Sequence, residues 1–167
     1  MYHGWADYIL YGGLPLTVTM KTEEQKVSYL TRLFEETYLK DIIERHHIEK
    51  TQELEDLVNI LASAIGSLTN VPKIEATFKS VLGSNISGNT IRQYIEYLED
   101  AFIVHKANRY NVKGRKYIGT PVKYYFEDVG LRNAILGFRQ VEETHLMENI
   151  IYNELRSRGY SVDVGLV

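Results

Sequence analysis

The chain has 167 residues, 44% of them hydrophobic, a formal net charge of −3 and no cysteine. That length can bury a core in one or two compact units, and a slightly acidic balance advertises no global field for nucleic acid. Without cysteine there are no disulfides, thiol nucleophiles or thiolate metal sites, which fits a reducing cytoplasm.

No apolar run reaches the roughly 20 residues of a membrane span. Met1-Tyr2-His3-Gly4-Trp5 lacks the charged start and apolar middle of a signal peptide, so no membrane partner is expected. Trp5 to Leu16 is a short apolar-aromatic segment closed by Gly12-Gly13-Leu14-Pro15, a combination that stops a helix and fixes a sharp turn. Thr22 to His47 reads as a helix, with Val27, Leu30, Phe34, Tyr38, Asp41 and Ile42 on a mainly apolar face. Glu23 and Glu24 in its first turn and Arg45, His46 and His47 in its last complement the macrodipole. Gln52 to Leu68 is a second amphipathic helix, with Leu54, Leu57, Val58, Leu61 and Ile65 on one face, ended by Asn70-Val71-Pro72.

The central stretch, Val71 to Asp128, reads helix, tight turn, helix, then hairpin. The first helix is Lys73–Leu82 and the turn Gly83-Ser84-Asn85. The second is Ser87–Ala101, capped by Ser87, with Ile91, Tyr94, Ile95, Leu98 and Phe102 facing a core. Phe102–Tyr110 and Val122–Phe126 have strand character, separated by a polar tip from Asn111 to Lys116. That order predicts a winged helix. Beyond it, Val129 to Ala134 reads as a short helix. Thr144 is the expected cap of a final helix bearing Met147, Ile150, Ile151 and Leu155 and ending near Arg158-Gly159. Tyr160 to Val167 looks like a strand that starts without a partner after it, as in a unit cut short.

Catalytic signatures are missing from the sequence. There is no phosphate-binding G-x-x-x-x-G-K-[ST] and no H-E-x-x-H; Gly12-Gly13 lacks the following lysine. His46 and His47 diverge by about 100° on a helix and cannot chelate one metal together. They are expected at a solvated helix end, and His3, His105 and His145 as isolated side chains. Glu142, Glu143, Glu148 and Glu154 are expected to be solvated surface acids. The informative feature is a run of six cations with no acid: Lys106, Arg109, Lys113, Arg115, Lys116 and Lys123. It falls where a wing meets a phosphate backbone. Tyr110 and Tyr117 flank the tip, ready to pack on a sugar or a partner. Asn89, Arg92 and Gln93, with Thr90, begin the second helix and could reach base edges. Glu96, Glu99 and Asp100 follow and repel phosphate, leaving only the first turn for close approach.

Four phrases together resemble one family. These are Tyr11-Gly12-Gly13-Leu14-Pro15; Tyr38-Leu39-Lys40-Asp41-Ile42 with Glu44-Arg45; the run from Lys123 to Asn133; and the run from Glu148 to Leu155 with Arg158-Gly159-Tyr160. In this order they are similar to the region C-terminal to the P-loop core of prokaryotic predicted AAA+ ATPases. The resemblance implies a helical segment, a winged-helix-like unit and the start of an uncharacterised nuclease-like domain. ATP and Mg would belong to the parent protein, not to this chain. Gly12 to Pro15 would end the ATPase lid, at a position that senses nucleotide in related proteins. Glu148 would sit on the first helix of the nuclease-like domain, whose remaining site residues would lie beyond Val167.

The expectation is therefore a mainly α (α+β) protein: a helical segment over 1–70, a winged helix-turn-helix with a small antiparallel wing over 71–128, and a helical start of a further domain over 129–167. The chain itself is expected to be non-catalytic and cytoplasmic. Its candidate DNA-binding residues are Asn89, Arg92, Gln93, Arg109, Lys113, Arg115 and Lys116. The alternative is a docking module for its own ATPase core or another protein; a nuclease fragment ranks last.

Overall fold

The computed structural model describes residues 2–139 and 141–166, apart from the side chains of Tyr2, His3 and Leu166. It is mainly helical with one small mixed sheet. The apolar-aromatic start is a helix, α1 (Tyr2–Tyr11), stopped at Gly12 with φ +72° and followed by the short α2 (Pro15–Thr19).

Thr22 and Gln25 form a reciprocal capping box that opens α3 (Glu23–Arg32). A π-helical stretch, Leu33–Leu39, joins it to α4 (Lys40–His46). The wider π turn advances the buried row by five residues, from Phe34 to Leu39. Tyr38, expected on the apolar row, is therefore only half-buried, and Leu39 takes its place. His47 caps the run in the left-handed region, with φ 50°.

Helix α5 (Thr51–Ser63) buries Leu54, Leu57, Val58 and Leu61 as the spacing predicts. It ends five residues early, and Ile65 reaches the core from the following turn. Thr69 then makes an isolated antiparallel bridge with Val122. Asn70 caps α6 (Val71–Thr77) by accepting from the Lys73 N–H, and a π-helical turn, Phe78–Leu82, runs to Gly83 at φ +66°. Ser87 caps α7 (Gly88–Asp100), which buries Ile91, Tyr94, Ile95 and Leu98. Phe102 does not complete that face. The helix has ended, the residue turns to φ +54°, and its ring is 70% exposed.

Strands β1 (Val104–Asn111) and β2 (Lys116–Phe126) pair antiparallel, with an irregularity between Ala107 and Arg109. Asp128 caps α8 (Val129–Ile135). Helix α9 (Glu143–Ser157) starts after Glu142 without a side-chain cap, so Thr144 lies inside the helix and not at its cap. The last strand, β3 (Val164–Leu166), finds its partner upstream: it runs parallel to β1 against Arg109, Tyr110 and Asn111, giving the order β2-β1-β3. The expected strand's final residue, Val167, lies outside the described residues. Among the described residues no helix is long and apolar enough to cross a membrane.

Candidate nucleic-acid interface

The candidate residues fall into two groups, one on α7 and one on the hairpin. At the start of α7, the Ser87 hydroxyl accepts from the Thr90 N–H at 3.1 Å, which orders the first turn. Asn89, Arg92 and Gln93 all project exposed from it. They are not idle: Arg92 Nη1 donates to Asn89 Oδ1 at 2.8 Å, and Gln93 Nε2 donates to the Tyr97 hydroxyl at 2.5 Å. Tyr97 is in turn covered by His46, the two rings stacked with centroids 3.5 Å apart. His46 is thus packed against a neighbouring helix, not simply solvated. Further along, Glu99 Oε1 accepts from the Lys106 backbone N–H at 3.2 Å, and burial pushes its carboxyl above the usual range.

On the hairpin the six cations separate. Lys113, Arg115 and Lys116 are exposed and make no ion pair among the described residues. The Asn111 side chain orders the tip by accepting from the Gly114 N–H at 2.6 Å, and Arg115 takes φ 50°. Arg109 is half-buried, with its Nε lacking a hydrogen-bond partner. Lys106 is exposed beside Glu99. Lys123 is committed elsewhere: its Nζ donates to Glu148 Oε1 at 2.6 Å. Among the described residues the hairpin cations that are exposed and without an ion pair are thus the three at the tip and Lys106, which is set apart beside Glu99. Tyr110 and Tyr117 meet edge-to-face beside it at 5.2 Å, and the Tyr117 hydroxyl donates to Asp163 at 3.0 Å.

The sequence phrases that stand out as motifs do something different. Asp128 accepts from the Gly13 N–H at 2.8 Å and, as cap, from the Leu131 N–H at 3.0 Å. Asn133 Nδ2 donates to the Ile9 and Leu10 carbonyls at the end of α1. The fully buried Arg132 donates through Nε to the Ala62 carbonyl and through Nη1 to Asn133 Oδ1. A Cβ on Gly130 would collide with the Tyr11 backbone, so only glycine lets α1 and α8 approach this closely. The Gly12-Gly13 turn thus presents its donor to a carboxylate.

A second joint holds α9 to β2. Asn149 is fully buried and clamps Phe126, accepting from its N–H at 2.8 Å and donating to its carbonyl at 2.7 Å. Asn153 Nδ2 donates to the Phe126 and Glu127 carbonyls, and Tyr152 stacks on Tyr125 at 4.2 Å. Glu148 receives both Lys123 and the Tyr125 hydroxyl. Burial pushes the Glu148 carboxyl up, but those two donors outweigh it and hold it below the usual range. Glu148 is therefore a paired acid at the joint, not a freely solvated one, although its side chain is still partly exposed.

His105 pairs with Glu127 and His145 lies 3.4 Å from Glu142; the side chain of His3 lies outside the described residues. Among the described residues no group of three or more histidine or acidic side chains is placed to hold a metal. In the sequence Arg132, Asn133 and Asn149 stand only as parts of the family phrases, with no role assigned to them, since arginine and asparagine are mostly surface residues. Their signal was position, since each sits among apolar residues within a helix.

Together these features define an α+β unit whose elements are locked by buried polar joints and whose hairpin ends in free cations. The chain belongs to the family described as "Domain of unknown function (DUF8612)", which matches residues 2–142. It is 37% identical over 161 residues to an uncharacterized protein of Haemophilus influenzae, covering 96% of this chain and 40% of that protein. It is 29% identical over 154 residues to uncharacterized protein MJ1544 of Methanocaldococcus jannaschii, covering 92% of this chain and 34% of that one. The chain thus spans well under half the length of these relatives. No solved structure matches it.

Proposed function

We propose that this chain is a non-catalytic module of a longer protein and that residues 71–128 act as a winged helix whose hairpin tip contacts nucleic acid. Within 71–128 the order α6, α7, β1, β2 supports the winged-helix reading as helix, turn, helix and hairpin, and α5 with the Thr69–Val122 bridge just before it adds a further helix and a short third pairing. The observation that carries the function is the tip itself: Lys113, Arg115 and Lys116 are exposed and unpaired on a chain of net charge −3. Cations left without partners on an acidic protein are suited to neutralise phosphates.

The motif phrases favour a place after the P-loop core of a predicted AAA+ ATPase, with ATP and Mg bound by the parent outside this chain and the whole in the cytoplasm. In that setting the wing couples the ATPase to DNA. A second reading, docking of the parent's core or another protein, draws on the exposed apolar side chains Trp5, Ile151, Leu155 and Tyr160, which line one groove.

Titration of labelled duplex and single-stranded DNA, followed by fluorescence anisotropy at low and near-physiological salt, separates the two. With three phosphates neutralised, log affinity should fall with log salt at a slope of about −2 to −3. The double variant Arg115→Glu, Lys116→Glu should abolish binding. Absence of binding at low salt would remove the nucleic-acid reading and leave docking.

A further inference from the structure

A winged helix that reads duplex DNA normally seats its second helix in the major groove while the wing touches the backbone. Here the two halves differ in access. On α7, the side that carries Gln93 continues to Tyr97, and Tyr97 lies under the His46 ring. The neighbouring side carries exposed Glu96 and half-buried Glu99, which line the groove between α7 and the hairpin with Lys106 and with Arg92, itself bonded to Asn89. A helix covered on one side and acidic on the next is poorly placed between two phosphate backbones.

The hairpin offers the opposite. Tyr117 is 62% exposed, yet its ring is held by the edge contact with Tyr110 and by its hydroxyl bond to Asp163. The unpaired Arg115 lies two residues before it at the tip, and Lys116, its immediate neighbour in β2, projects from the other face of the strand. An ordered, exposed aromatic ring beside free cations is the arrangement on which nucleic-acid bases stack while the backbone is neutralised. Base faces are hidden in a duplex and open in a single strand. The Asp163 carboxylate, on the far end of Tyr117, disfavours a phosphate there and leaves Lys113, Arg115 and Lys116 as the backbone side.

We infer that the ligand is a single-stranded nucleic acid, with its backbone on Lys113, Arg115 and Lys116 and a base stacked on Tyr117. This deepens the nucleic-acid reading above and rests on it. The test titrates the full chain with labelled oligothymidylate, oligouridylate and a duplex of equal length, in the same buffer. At least one single strand should bind about tenfold or more tighter than the duplex, and the preferred sugar tells DNA from RNA.

Tyr117→Ala should weaken single-strand binding about tenfold, the usual order for one lost base stack. Tyr117→Phe keeps the ring, loses the bond to Asp163, and should stay within about threefold of the parent. Circular dichroism checks that both variants remain folded. Duplex binding as tight as single-strand binding, or no effect of Tyr117→Ala, overturns this inference while leaving the wing as a nucleic-acid surface. Failure of all three oligonucleotides to bind overturns both.

Discussion

The joints around α8 and α9 and the tip of the hairpin use polar residues in opposite ways. At the joints every functional-looking side chain has a protein partner: Asp128 meets Gly13, Arg132 meets Ala62, Asn133 meets α1, and Asn149 meets Phe126. At the tip Lys113, Arg115 and Lys116 have none among the described residues. Buried hydrogen-bonded groups are costly to disturb because removal of one partner strands the other. Exposed cations cost little to change, and what they lose is an outside partner. The phrases that look most like a signature therefore hold the fold together, and the candidate binding surface lies in a stretch that no phrase marks.

The sharpest way to break that contrast is Arg132→Ala. It strands the Ala62 carbonyl and the Asn133 amide oxygen and leaves a cavity, so about 3 kcal/mol or more of stability should be lost in urea unfolding. Asn149→Ala comes next, at about 2–3 kcal/mol, because the Phe126 N–H loses its buried side-chain acceptor and a fully buried amide is replaced by a gap, while the Phe126 carbonyl keeps Asn153. Gly130→Ala should cost about 1–3 kcal/mol through overpacking against the Tyr11 backbone, which cannot swing aside as a side chain would. A loss below 0.5 kcal/mol for Arg132→Ala or Asn149→Ala, on the scale of about 0.5 kcal/mol usual for plain surface changes, would put these joints on a par with the surface.

A smaller effect concerns pH. The Glu148 carboxyl titrates below its ordinary value in the folded chain, so its contribution to stability is present above that ordinary value and is lost as pH falls through the folded one. Comparison of the parent with Glu148→Gln by urea unfolding should show the parent's advantage shrinking on acidification through and below the ordinary glutamate value. The pair is partly exposed, so the advantage should stay under about 1 kcal/mol. A difference that grows on acidification would contradict the assignment. Asp128 runs the other way: burial raises its carboxyl, so its ionisation opposes folding as pH rises above the ordinary aspartate range.

Much of the local structure was legible because it depends on near neighbours. The cap at Ser87, the buried row Leu54, Leu57, Val58 and Leu61, and the hairpin around Gly114 all follow from residues a few positions apart. What was not legible depends on distant chain. The π stretch that exchanges Tyr38 for Leu39 is a tertiary choice about which side chain fills the core. The partner of β3 is β1, more than fifty residues upstream in sequence. The count of six basic residues was read correctly, but the loss of Lys123 to Glu148 is a contact across 25 positions. The same distance hid the roles of Arg132, Asn133 and Asn149, whose partners lie on other elements.

The division of labour is tested most directly by measuring stability and oligonucleotide affinity on the same two variants, Asn149→Ala and the Arg115→Glu, Lys116→Glu pair. At a temperature where both are folded, Asn149→Ala should lose about 2–3 kcal/mol of stability yet bind labelled DNA within about twofold of the parent. The tip pair should unfold within about 0.5 kcal/mol of the parent and bind no DNA. A tip variant that binds as the parent does, or a joint variant that keeps full stability, would contradict the account.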